Sequence, residues 1–164
     1  MTTQELITAR DLVDIDIFHG LPRQDLEQIA SICAVREYQA GERCAVQGET
    51  AHEVRVVRRG KIAIEMRIEV TPFTQTLSIT TLTGGNVFAW SALVMPYVLT
   101  ASARCMERSQ ILSIEASDLQ RVFNERPSVE LVVMRNLATV ISLRLRDGWS
   151  QLVRLVAEMI KQGR

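Results

Sequence analysis

The sequence predicts a mainly β fold flanked by α-helices: an antiparallel sandwich or barrel with helical segments before and after it. Three observations carry the prediction. Apolar residues follow a period of two from Ala34 to Ile114, the repeat of a strand with one face buried. Glycine turn signals at Ala40-Gly41, Gln47-Gly48, Arg59-Gly60 and Gly84-Gly85 recur at short intervals through much of that zone, which favours antiparallel strands over a βαβ sheet. On either side, apolar residues advance at helical spacings.

Taken in order, residues 1–34 read as a helical lead-in. Leu12, Val13, Phe18, Leu21, Leu26, Ile29, Ala30 and Ile32 carry its apolar face, and Pro22 opens a second helix predicted over Arg23 to Cys33. Residues 35–116 read as the strand region. Its short strands are marked by Val35, Cys44 and Val46, Val54 and Val56, Ile62 to Met66, Leu77 to Thr81, Val87, Ala101 to Cys105, and Ile111 to Ile114. Residues 117–164 turn helical again. Val129, Val133, Leu137, Ile141, Leu145, Trp149, Leu152, Val156 and Met159 advance mostly in steps of four, the stripe of an ordinary amphipathic helix rather than a strict heptad. Such a helix is roughly 50 Å long. Gly148 marks the place where a kink or an end is expected.

Composition bounds the function. A chain of 164 residues suits one domain, and 47% hydrophobic residues suffice for a real core. Nineteen Lys and Arg balance nineteen Asp and Glu, so no net field favours nucleic acid or an anionic membrane. No apolar run approaches the ~20 residues that span a bilayer. The start, Met1-Thr2-Thr3-Gln4-Glu5, lacks the basic region of a signal peptide. Cys33, Cys44 and Cys105 are odd in number and without metal-type spacing, which predicts reduced thiols in the cytoplasm.

Catalytic chemistry finds no motif. Gly-x-Ser-x-Gly, a phosphate-loop lysine and Gly-x-Gly-x-x-Gly are all missing from the sequence. Its two histidines, His19 and His52, form no His-x-His, so neither a metal nor a cofactor is expected and both read as surface residues. Cys33 reads as a core residue of the second helix, and Ser91 as a helix N-cap or a pocket residue. Arg55, Arg58, Arg59 and Lys61 form a local basic patch, solvated by default and otherwise a surface for an acidic partner.

One collinear set of motifs over residues 10–147 resembles the cyclic-nucleotide-binding domain superfamily. Gly41-Glu42, Gln47-Gly48-Glu49 and Val54-Arg55-Val56-Val57-Arg58-Arg59-Gly60-Lys61-Ile62 are similar to its glycine-punctuated strands. Gly84-Gly85-Asn86-Val87-Phe88 resembles the turn into its phosphate-binding cassette, which here spans Phe88 to Ala103. Ser109 to Ile114 resembles the last strand, and Ile17-Phe18-His19-Gly20-Leu21 the lead-in. The resemblance implies an antiparallel double-stranded β-helix, a jelly roll or β-roll, with N-terminal helices and a long C-terminal helix.

Within that cassette the residues that read the ligand are replaced. The family pattern runs Phe-Gly-Glu, a small residue, Leu, a short gap, then Arg-Ser/Ala-Ala. Here Trp90 stands at the ribose-binding glutamate and Leu99 at the phosphate-binding arginine. A buried phosphodiester without a charged partner carries a desolvation cost of several kcal/mol. Ala89 replaces the usual glycine, which argues against a strained backbone there. Thr100 and Ser102 remain as hydroxyl contacts. Arg104, five residues beyond Leu99, faces the other way by strand register and reads as a surface charge.

The resemblance therefore implies a regulatory or sensory module, not an enzyme, that does not bind cAMP or cGMP in the usual way. Its altered site is expected to involve Phe88, Ala89, Trp90, Ser91, Ala92, Leu99, Thr100 and Ala101, for a small-molecule or nucleotide ligand of another kind, or for none. The family's terminal helix pairs with a second copy. Apolar residues beyond what one roll covers point the same way and predict a homodimer: Val132, Val133, Val140, Ile141, Trp149, Leu152, Val153, Leu155, Val156, Met159 and Ile160. Too little chain follows the helix for a DNA-reading domain, so direct DNA binding is not expected. Two alternatives stand beside this: an interaction scaffold docking a partner through the terminal helix or the basic patch, and a fragment of a true cyclic-nucleotide-binding transcription regulator.

Overall fold

A computed structural model of the chain describes residues 2–3 and 6–163. Strand β1 (Thr2–Thr3) precedes helix α1 (Ala9–Leu12), a 3-10 turn (Asp16–Phe18) and helix α2 (Arg23–Ala30). The strand region follows as β2 (Cys33–Tyr38), β3 (Arg43–Ala45), β4 (Glu53–Arg59), β5 (Ile62–Val70), β6 (Phe73–Leu82) and β7 (Val87–Phe88). A second 3-10 turn (Trp90–Leu93) leads to β8 (Ser102–Cys105) and β9 (Ser109–Glu115). Helices α3 (Ala116–Glu125) and α4 (Pro127–Gln162) close the chain.

The strands form two antiparallel sheets, in the orders β1-β2-β9-β4-β7 and β3-β8-β5-β6. This is the expected jelly roll, and the period-two pattern explains it. Val54, Val56, Leu112 and Ile114 alternate with their neighbours so that one side of each strand enters the core between the sheets. The other side of the first sheet is covered in turn by the lead-in. Phe18, Ile17 and Ile29 join Phe123 and Leu119 of α3 in the same continuous core.

Four residues of α4, Val129, Val133, Leu137 and Val140, bury themselves at steps of four, four and three, which is one helix face. Asn136 Nδ2 locks that half of the helix to the first 3-10 turn, donating to the carbonyls of Ile17 at 3.1 Å and His19 at 2.8 Å. Val133 and Val140 are therefore core residues of their own chain and leave the set predicted to pair with a second copy. The helix also continues through Gly148, so it does not end there. At about 1.5 Å per residue its 36 residues span about 54 Å.

Two further expectations change. Helix α2 stops at Ala30, so Cys33 is the first residue of a strand and not a helix core residue. Its Sγ donates back to the Ile29 carbonyl, and burial, followed by the nearby Asp11 charge, pushes the thiol up to about 12. The basic patch does not exist as a free face. Arg55 is held by Glu53 at 2.8 Å and Arg58 by Asp11 at 2.8 Å, leaving Arg59 and Lys61 exposed. Asp11 spends its second oxygen on Thr8, so α1 is tied to β4 through one carboxylate.

Candidate functional site

The cassette is set by three local devices. Asn86 closes the turn into β7: its Oδ1 accepts the Thr83 N–H at 3.1 Å, while its own N–H donates to the Thr83 carbonyl. Asp16 then anchors the start of β7, both carboxylate oxygens lying 3.1–3.2 Å from the Val87 N–H. Burial raises the Asp16 pKa despite these contacts. Nothing in the motif pattern singled out Asp16. Its contact with Val87 joins residues 71 apart in sequence.

Ala89 is the third device. The expectation that alanine removes the family's glycine conformation is overturned: Ala89 sits in the left-handed region at φ 55, ψ 27 and caps the 3-10 turn from Trp90 to Leu93. A side chain in this region costs roughly 1–2 kcal/mol, so its neighbours hold the backbone there. Ala89→Gly is expected to raise stability by about 0.5–1 kcal/mol, the relieved strain less the greater chain entropy of glycine. Urea unfolding checks it, and a destabilised variant would show the backbone to be unstrained.

Across the cassette, the Leu99 N–H donates to the Glu49 carbonyl at 2.9 Å and its carbonyl accepts the Gly48 N–H at 2.8 Å. The Gln47-Gly48-Glu49 turn thus fixes the main chain where the family carries its arginine. The Leu99 side chain is 8% exposed. Ser102 is taken out of the ligand-contact set, because its Oγ accepts the Gln47 N–H at 2.9 Å. Arg104 faces away as the register predicted, bonded by Nε and Nη2 to Glu65 Oε1 at 2.9 and 2.6 Å. Ser91 lies inside the 3-10 turn whose N-cap is Ala89, so of its two readings only the pocket residue remains.

These pieces border a cavity of about 590 Å³, within the range of small-molecule sites. Phe88, Ala89, Trp90, Ser91, Leu99, Thr100 and Ala101 line one side of it. Ala92 does not: it is buried behind the turn, with its N–H on the Ala89 carbonyl. The opposite wall is the β5–β6 hairpin, through Ile64, Met66, Ile68, Leu77 and Ile79. The middle of α4 covers the mouth with Ile141, Leu145, Trp149, Leu152 and Leu155. Ile141, Trp149, Leu152 and Leu155, expected at an interface between copies, also line the cavity of their own roll, with Trp149 and Leu152 still half exposed.

The residue missed by motif reading is Arg144, the one charged side chain among the described residues lining the cavity. Its guanidinium lies 6.0 Å from the Trp90 ring centroid, within cation–π range. One Nη2 contact reaches the Val87 carbonyl at 3.3 Å. The Nε is buried and meets no acceptor among the described residues. Burial lowers the Arg144 pKa, with the Asp16 and Asp147 charges opposing, yet an arginine stays protonated near neutrality. A signal was present in the sequence: Arg144 interrupts an apolar face between Ile141 and Gly148, and Gly148 leaves room beside it.

Other candidate groups do not assemble with the cavity. His19 and His52 are exposed, and no set of three His, Cys, Asp or Glu able to hold a metal occurs among the described residues. Cys44 and Cys105 are buried, and burial together with their mutual contact raises the Cys44 pKa.

A family model described as cyclic nucleotide-binding domain matches residues 35–126. Glutaminase 1 of Bradyrhizobium diazoefficiens is 27% identical over 137 residues, covering 82% of this chain and 21% of that protein. The cyclic AMP receptor protein of Thermus thermophilus is 26% identical over 132 residues, covering 80% of this chain and 58% of that one. The chain therefore spans about a fifth and somewhat over half of these relatives. A cyclic nucleotide-binding domain from Methylobacillus flagellatus shares the fold with a TM-score of 0.78, at 11% identity over 89% of this chain and 83% of that one. With the model match covering more than half of the residues, the chain belongs to the cyclic nucleotide-binding domain family.

Proposed function

We propose that the chain is a regulatory or sensory module that acts by binding rather than catalysis, with a cavity that does not take cAMP or cGMP in the family's usual way. The replacement of the phosphate-reading arginine by buried Leu99 carries this reading. Trp90 reinforces it: the indole offers one donor and no acceptor for a ribose hydroxyl. Phe88, Ala89, Ser91, Thr100 and Ala101 complete that side of the proposed ligand site, with Ala92 in support behind them. Calorimetric titration with each nucleotide at ~100 μM is expected to give no heat beyond dilution. Micromolar binding would sink the reading and favour the alternative of an ordinary cyclic-nucleotide-binding regulator fragment.

A second reading rests on the far end of α4. Val153, Val156, Met159 and Ile160 stay exposed beyond the cavity, Met159 at 71%. That stripe supports pairing with a second copy, or docking of another protein as a scaffold would. The expected result is a dimer mass in light scattering at micromolar concentration, reduced to a monomer by Val153→Glu with Val156→Glu. A monomer in the unchanged protein counts against the homodimer. No helix among the described residues is long and apolar enough to cross a membrane. Residues 1–34, 35–116 and 117–164 are taken as helical lead-in, cyclic-nucleotide-binding-like roll and C-terminal helices for dimerisation, and the unpaired cysteines suit the cytoplasm. Neither DNA contact nor a cofactor forms part of the proposal.

A further inference from the structure

The cavity has an unusual charge pattern for its depth of apolar wall. Its hairpin side presents Ile64, Met66, Leu77 and Ile79, and α4 adds Leu152 and Leu155. Against these stands a single cation among the described lining residues, Arg144. That cation is incompletely satisfied: its Nε has no acceptor, its Nη2 contact is a long one of 3.3 Å, and no carboxylate lies within ion-pair distance of it among the described residues. Asp16 and Asp147 act on it only at longer range. A half-buried guanidinium with an orphan donor is costly unless an anion completes it.

From this we propose that the cavity binds a small amphipathic monocarboxylate, its aliphatic body against the hairpin and its carboxylate on Arg144. The inference rests on the reading that this cavity takes a small molecule. One charge on the protein calls for one on the ligand. A phosphate monoester would bring a second charge into apolar surroundings with nothing to neutralise it. A sugar and a base would need several acceptors and donors, whereas the hairpin wall adds only the Thr80 hydroxyl among its described lining residues. An alkyl chain needs none, and every methylene it buries adds to binding. Trp90 then has a role that the family's glutamate could not fill. Its ring supports the guanidinium from one side without neutralising it, which leaves the charge for the ligand. The cation that the cassette lost at position 99 is thus supplied from α4.

The test compares three ten-carbon probes on the full chain, below their micelle-forming concentrations: decanoate, 1-decanol and decyltrimethylammonium. Calorimetry and tryptophan fluorescence read binding, since Trp90 and Trp149 both line the cavity. Decanoate is expected to bind one per chain and to raise the melting temperature. Decanol should bind about tenfold or more weakly, the ratio that one charge-assisted hydrogen bond gives, and the ammonium should not bind. Arg144→Gln should bring decanoate down to the affinity of decanol while leaving decanol unchanged. Arg144→Lys should retain part of the preference. Equal binding of decanoate and decanol to the unchanged protein overturns the carboxylate assignment but leaves a small-molecule cavity standing. No decanoate binding, or many molecules bound per chain with unfolding, overturns it as well. Micromolar cAMP binding that displaces decanoate would instead remove the reading on which it rests. Because the probe comparison is made first on the unchanged protein, a variant that fails to fold does not blunt the test.

Discussion

Gly60→Ala is expected to destabilise the protein by about 3 kcal/mol or more. Gly60 turns the chain from β4 into β5 at φ +101, where a side chain costs roughly 1–2 kcal/mol. Space adds a second penalty. A Cβ built there would lie 2.7 Å from Ser109 Cβ and 2.8 Å from Ser109 Cα, and it would also overlap Ser109 Oγ. Ser109 is almost wholly buried and its Oγ donates to the Glu107 carbonyl at 2.8 Å, so it has nowhere to move. Overpacking of this kind adds roughly 1–3 kcal/mol. Urea unfolding of the variant measures the sum. Ser109→Gly in the same chain should recover part of the loss, because only the steric part involves Ser109. A single variant within 1 kcal/mol of the parent protein would show that the turn rearranges freely.

Glu53→Ala is expected to cost about 2–3 kcal/mol. Glu53 is 8% exposed and accepts bonds from two arginines: Arg36 on one oxygen, and Arg55 Nε and Nη2 on the other at 3.1 and 2.8 Å. Removing it leaves two cations facing each other across the first sheet. Breaking a fully buried pair costs roughly 3–5 kcal/mol, and the partial exposure of both arginines lowers the figure. Glu53→Gln should lose less, since the amide keeps one acceptor oxygen. The loss has a route to the cavity, because Arg55 is in register with Phe88 on the adjoining strand. Chemical denaturation of the two variants gives the comparison, and equal losses for Ala and Gln would refute the account of Glu53 as an acceptor for both arginines.

The roll was legible because its signals are local. Alternation in Val54 and Val56 or Ile111 to Ile114, and glycines at corners of positive φ, report what a few neighbouring residues can do whatever lies across from them. The altered cassette was legible for a different reason: Trp90 and Leu99 are changes of identity, visible without coordinates. Element ends were less so. Cys33 continued an apolar helical stripe on paper, yet strand pairing with Ile114 took it. Helix α4 passed Gly148 because one glycine weakens a helix by about 1 kcal/mol, less than its surrounding turns supply.

By itself, then, the sequence determined the jelly roll, its helical flanks and the loss of the two residues that read a cyclic nucleotide. The tertiary structure decided which charges find a partner. Arg55 and Arg58 lost their standing as a basic patch to Glu53 and Asp11, whereas Arg144 arrived at the cassette from a helix far along the chain. It also decided that Ala89 keeps a glycine's backbone, and that half of the apolar stripe on α4 serves its own roll. The physical reason is common to the charges and the stripe. Periodicity states that a side chain is apolar or charged, but burial and charge pairing are properties of two surfaces, and the second surface is chosen only when the chain folds.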